Sequence, residues 1–156
     1  MIRLTAILSE QSIPKVVFVS GLTRDESVAQ QAARIQSGMP QFNVVPFKWD
    51  QYSAVKQYLE KNKPAALILY SKSVEYTQSY GKYISPTKIY AIEPYKPNSL
   101  RGIPAANMWR HPSMDYRGAG ISGNDVPNKY PHASSNGSKV TVLDYVAPLI
   151  AARIRV

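Results

Sequence analysis

The chain has 156 residues and no cysteine, and 19 Lys plus Arg outnumber 10 Asp plus Glu for a formal net charge of +9. That length suits one domain around one sizeable core. The missing thiols exclude disulfide frameworks, thiolate metal sites and cysteine nucleophiles, which leaves hydroxyl, imidazole, carboxylate and amine chemistry.

Ile2, Leu4, Ala6 and Leu8 alternate with period two, which predicts an N-terminal edge strand or arm over residues 1–14. From Lys15 to the end the apolar pattern switches between short buried runs and helical spacing. This alternation predicts a single three-layer α/β/α domain with a mainly parallel sheet. Val16 to Val19 form the first central strand, closed by Ser20-Gly21. Thr23 and Glu26 have capping-box spacing, and Val28, Ala32 and Ile35 share a helical face until Gly38 stops the helix, so helix one is expected over about Arg24 to Ser37. Phe42 to Phe47 read as the second strand, and Asp50 is expected to cap a helix with Tyr52, Val55, Tyr58 and Leu59 on its apolar face. Ala65 to Tyr70 make the third strand, running into Ser71-Lys72-Ser73 and a Tyr-rich helical segment that reaches Tyr83. Lys88 to Ile92 make the fourth, closed by Glu93-Pro94.

The character then changes. Residues 95–137 are a Pro- and Gly-rich loop region with one short strand expected at Ala105 to Trp109. Loops this long inside a domain are usually functional or held by a partner. Gly118, Gly120 and Gly123 resemble a phosphate cradle but lack the buried strand before and the helix after that such a cradle needs, so they read as loop glycines. Val140 to Ile154 form the last helix, with Pro148 expected to kink it.

The positive charge is uneven, +3 over residues 1–80 and +6 over 81–156, yet the cations stand singly. An acidic polymer is a candidate partner, whereas the scatter gives no module for specific nucleic-acid recognition. Tyr concentrates in the middle and later chain, which suits a protein interface or homo-oligomer contact, a ligand groove or core packing. No apolar run nears the roughly 18 residues of a membrane span, and Met1 to Leu8 lacks the features of a secretory signal, so the chain reads as soluble, with cytoplasm and virion both open.

In a parallel sheet, functional groups collect where strands end. Ser71 sits at such a junction, where a hydroxyl would stand over the sheet beside helix N-terminal amides. The plainer role for Ser71 is a helix N-cap. As a nucleophile it needs a base and an orienting acid, for which His132 and Asp115 are the leading candidates, with Glu93 and Asp125 as alternative acids. His132, Asp115 and His111 have plainer roles too, as loop or turn residues.

The order strand, Ser71, later acid, His132 ahead of the last helix resembles the α/β-hydrolase superfamily in a small cutinase-like or lipase-like form. In that resemblance Ile68-Leu69-Tyr70-Ser71-Lys72-Ser73 takes the place of the Gly-x-Ser-x-Gly elbow, with Leu69 and Ser73 at the glycine positions. It implies a serine hydrolase of ester or amide bonds acting on an ester or acyl substrate, with oxyanion amides from Gly21 or Leu22 and from Lys72; no residue pattern calls for a cofactor or a metal. The alternative from a different class is a non-catalytic structural or docking module of a large assembly such as a phage particle, because a fold does not fix an activity.

Overall fold

The computed structural model describes residues 13–95, 102–111, 122–134 and 139–155. The expected arm therefore lies almost wholly outside the described residues, as do Asp115, Gly118 and Gly120.

The elements in order are β1 (Lys15–Val19), α1 (Val28–Gly38), β2 (Asn43–Phe47), α2 (Tyr52–Asn62) and β3 (Ala66–Tyr70). A 3-10 turn (Ser71–Tyr76), the short α3 (Thr77–Tyr80), β4 (Ile89–Ile92), β5 (Met108–Arg110), the two-residue β6 (Asn124–Asp125) and α4 (Val142–Ala151) complete them. The strands form one sheet in the order β2-β1-β3-β4-β5-β6, every pair parallel. All strands therefore end at the same edge.

The three expected layers follow from strands that are apolar on both faces. Val16, Phe18, Ile68, Tyr70, Ile92 and Trp109 face α1 and α4, whereas Val17, Val19, Leu67, Leu69 and Ile89 face α2, Val74 and Tyr80. Burial empties the Val16–Val19 and Ala66–Leu69 side chains of solvent contact altogether, and each such Val, Leu, Ile or Phe contributes about 1.5–3 kcal/mol.

Several local expectations change. Ser27, not Thr23, caps α1: its hydroxyl accepts from Gln30 N and the Gln30 side chain accepts from Ser27 N. Glu26 is instead buried against Arg34. Asp50 does not cap α2; the cap position is Gln51, and exposed Asp50 lies 3.9 Å from Lys48. Gly38 is the last residue of α1, and a Cβ there would lie 2.5 Å from Ala147 Cβ and 2.9 Å from Pro148 Cδ. Its smallness lets α4 cross α1 at that point. The Tyr-rich segment is a 3-10 turn and one short helix, in which Tyr80 stacks on Tyr52 and Tyr76 lies tilted against both. Tyr90 likewise stacks on Trp109 and Tyr130 on Tyr145, so these tyrosines pack the interior, while Tyr95 is exposed. β6 was not anticipated; two residues in a Gly-rich stretch carry no readable period.

Candidate functional site

In the order 2-1-3-4-5 the chain reverses direction across the sheet between β1 and β3, and loops leaving the two strands part there to open a crevice. A cavity of about 200 Å³ lies at this place. Its walls come from the segment after β1 (Leu22, Arg24, Asp25, Glu26), from Tyr70 and Ser71 at the end of β3, from Tyr95, and from His132 and Ala133.

Ser71 is not an N-cap. It is the first residue of the 3-10 turn and holds φ 54°, a left-handed conformation that a side chain makes costly. Ser73 does the local capping work: its buried hydroxyl accepts from Tyr70 N at 2.9 Å and reaches Val19 O at 2.9 Å, which fastens the turn to β1. The room that elbow glycines would give is supplied across the crevice by Gly21. A Cβ on Gly21 would lie 3.1 Å from Ser71 Cβ and 3.1 Å from the Tyr70 ring.

Glu93 ends β4 with φ 45° and a side chain fully removed from solvent. Its Oε1 is 3.2 Å from His132 Nδ1. A carboxylate on Nδ1 fixes the tautomer and leaves Nε2 of the ring for other chemistry. Tyr70 completes the support: its ring lies 4.8 Å from the His132 ring, centroid to centroid, and its phenol donates to the His132 carbonyl. Burial, and next the charge of Glu93, push the Tyr70 phenol well above its ordinary range, so it remains a donor.

Ser71 and His132 thus share one cavity, with Glu93 behind the imidazole. Among the described residues no hydrogen bond joins the Ser71 hydroxyl to His132; such bonds are often long before substrate binds. Of the amides expected to face an oxyanion, that of Gly21 already donates to Gln31 Oε1 at 3.1 Å. Leu22 remains on the cavity wall, and Lys72 lies in the first turn of the 3-10 segment, where an amide has no partner one turn earlier. Asp125 is not part of the site. It stands on β6, three strands beyond β3, with its carboxylate 2.7 Å from Arg110 Nη2 and largely in solvent.

Two contributors escaped the sequence reading. Gln31, buried on the inner face of α1, also donates to Leu22 O at 3.1 Å and Glu26 O at 3.0 Å, and so holds the segment after β1 in shape. A polar residue beside the apolar stripe Val28, Ala32, Ile35 was the available signal. Tyr70 gave none, since a strand-end Tyr reads as core. Among the described residues no group of His, Asp and Glu is placed to hold a metal ion, and no helix is long and apolar enough to cross a membrane.

No family model, curated protein or solved structure matches the chain. The site's own geometry therefore carries the functional argument.

Proposed function

We propose that the chain is a serine hydrolase of small esters, with Ser71 as nucleophile, His132 as general base and Glu93 as the orienting acid. The observation that carries this reading is the 3.2 Å contact of Glu93 Oε1 with His132 Nδ1 at the wall of the cavity that Ser71 also lines. The left-handed backbone at Ser71 supports it, because strain of this kind collects where a side chain must be presented to a ligand.

In the reaction Ser71 Oγ adds to the ester carbonyl carbon while its proton passes to His132 Nε2. The Glu93 charge stabilises the imidazolium, and the Leu22 and Lys72 amides receive the negative oxygen. His132 then protonates the leaving alkoxide, the alcohol departs, and the acyl group stays on Ser71. Water repeats the addition with His132 as base and frees the acid. A cavity of about 200 Å³ walled partly by Arg24, Asp25 and Glu26 suits a short acyl group better than a long chain.

The test compares wild type with Ser71→Ala for labelling by a fluorophosphonate and for release of p-nitrophenol from acetate and octanoate esters. Labelling of wild type alone, with acetate preferred, supports the reading. Equal labelling of both proteins removes Ser71 as nucleophile, and labelling of neither leaves the non-catalytic docking module.

A further inference from the structure

We infer that His111 is a second imidazole on Glu93, a positioning residue that holds the Glu93 carboxylate at the rotation that meets His132; this rests on the hydrolase reading above for its effect on turnover. The sheet sets the arrangement. Ile92 pairs with Trp109, and Glu93 N donates to Trp109 O at 2.8 Å, so the residues that follow on β4 and β5 leave the edge side by side. Glu93 therefore turns back beneath its strand end while His111 emerges two residues after Trp109. The outcome is one buried carboxylate between two rings: Oε1 lies 3.2 Å from His132 Nδ1 and Oε2 lies 3.8 Å from His111 Nε2. The two ring centroids are 6.0 Å apart.

The need for such a residue follows from the carboxylate itself. Glu93 Oε2 is buried with no hydrogen-bond partner, and an oxygen left in that condition favours any rotation of the carboxylate that would satisfy it. The last torsion of a Glu side chain turns in a broad well, so partial rotation of the carboxylate lengthens the bond to Nδ1. An imidazole N–H within charge reach of Oε2 opposes that rotation. Arg110, next to His111 in sequence, is turned to Asp125 instead. Glu93 and His132 both face His111, and the effect expected is on geometry.

The experiment compares His111→Phe and His111→Gln in the full chain. Three readouts are taken: ester turnover, its pH profile, and the NMR signals of the His132 ring, assigned by loss in His132→Gln. His111→Phe is expected to lower kcat about tenfold with KM within about twofold and to shift the His132 ring signals; His111→Gln, which keeps a donor, is expected to restore at least half of both. Unchanged kcat, pH profile and His132 signals in His111→Phe overturn the inference. A His132 signal shifted in His111→Phe, with a wild type that neither labels nor turns over, upholds the positional role and overturns the hydrolase reading. Should His111→Phe fail to fold, His111→Ala takes its place: unchanged kcat and His132 signals overturn the inference, whereas their change, at least half restored in His111→Gln, supports it.

Discussion

Ser71 and Glu93 leave adjacent parallel strands through the same left-handed backbone region, at φ 54° and φ 45°. Two neighbouring strand ends strained alike, one beside the cavity and the other behind the imidazole that lines it, are costly for stability alone, at about 1–2 kcal/mol per residue. Ser71→Gly tests this directly. Glycine relieves the backbone, so the expected outcome is a gain of about 1 kcal/mol in urea or thermal unfolding together with complete loss of fluorophosphonate labelling. A loss of stability would mean that the Ser71 side chain, not function, holds the turn.

Glu93→Gln keeps shape and burial but removes the charge and invites the wrong tautomer of His132. Ester turnover is expected to fall roughly a thousandfold or more, with KM changed little. The measurement is steady-state kinetics beside a thermal scan, because a folded protein with wild-type kcat would transfer the acid role to another residue. Asp115, outside the described residues, is the first to examine by the same substitution.

Gly21→Ala puts a methyl group 3.1 Å from both Ser71 Cβ and the Tyr70 ring. Something must shift, and displacement by even 1 Å at a reacting group costs about a hundredfold in rate. The protein is expected to fold, about 1–3 kcal/mol less stable, and to label at least tenfold more slowly. Labelling at the wild-type rate would show that the segment after β1 does not shape the site.

Buried tyrosines predict an alkaline weakness. Burial first raises the phenol pKa of Tyr70 and of Tyr80, while in the unfolded chain both ionise near pH 10. Above that pH the unfolded state has lost protons that the folded state keeps, so stability, intact below pH 10, falls as pH rises. The expected slope is about 1.4 kcal/mol per pH unit for each tyrosine. Tyr80→Phe should flatten the pH dependence between about pH 10 and 11.5 in urea titrations; an unchanged slope would place the Tyr80 phenol in contact with solvent.

The sheet was legible because strands buried on both faces spell unbroken apolar runs, as Val16–Val19 and Ala66–Tyr70 do. Capping was less legible. Thr23 and Glu26 have the right spacing, but an ion pair with Arg34 claims Glu26 and shifts the cap to Ser27. Ser71 and His132 as candidates followed from chain order, which left Glu93 only an alternative to Asp115, a residue outside the described ones. Glu93, Asp115 and Asp125 all lie between Ser71 and His132 in sequence, and only the pairing of β4 with β3 and β5 places Glu93 behind the imidazole. Chain order is one-dimensional; the choice among acids depends on sheet register and on strand-end backbone, neither of which a single sequence displays.

Arg34 gives the last expectation. Its guanidinium bridges Glu26 at 2.9 Å and Asp144 at 2.5 Å, and Asp144 also accepts from Thr141 N to cap α4. Arg34→Met leaves the Glu26 carboxylate buried and alone, with an expected loss of about 3–5 kcal/mol. Adding Glu26→Gln should recover a large part of it, as a double-mutant cycle in urea would measure; no recovery would mean that the arginine acts through its packing.

Glu26 belongs to the cavity wall and Asp144 to the start of the terminal helix, so one guanidinium spans the distance between them. Helix α4 is then a tether on the pocket: displacing it would slacken the wall that Glu26 forms. Tags or fusions placed at the carboxy terminus belong among the variables of any activity assay, and an affinity handle there should be compared with one at the other terminus.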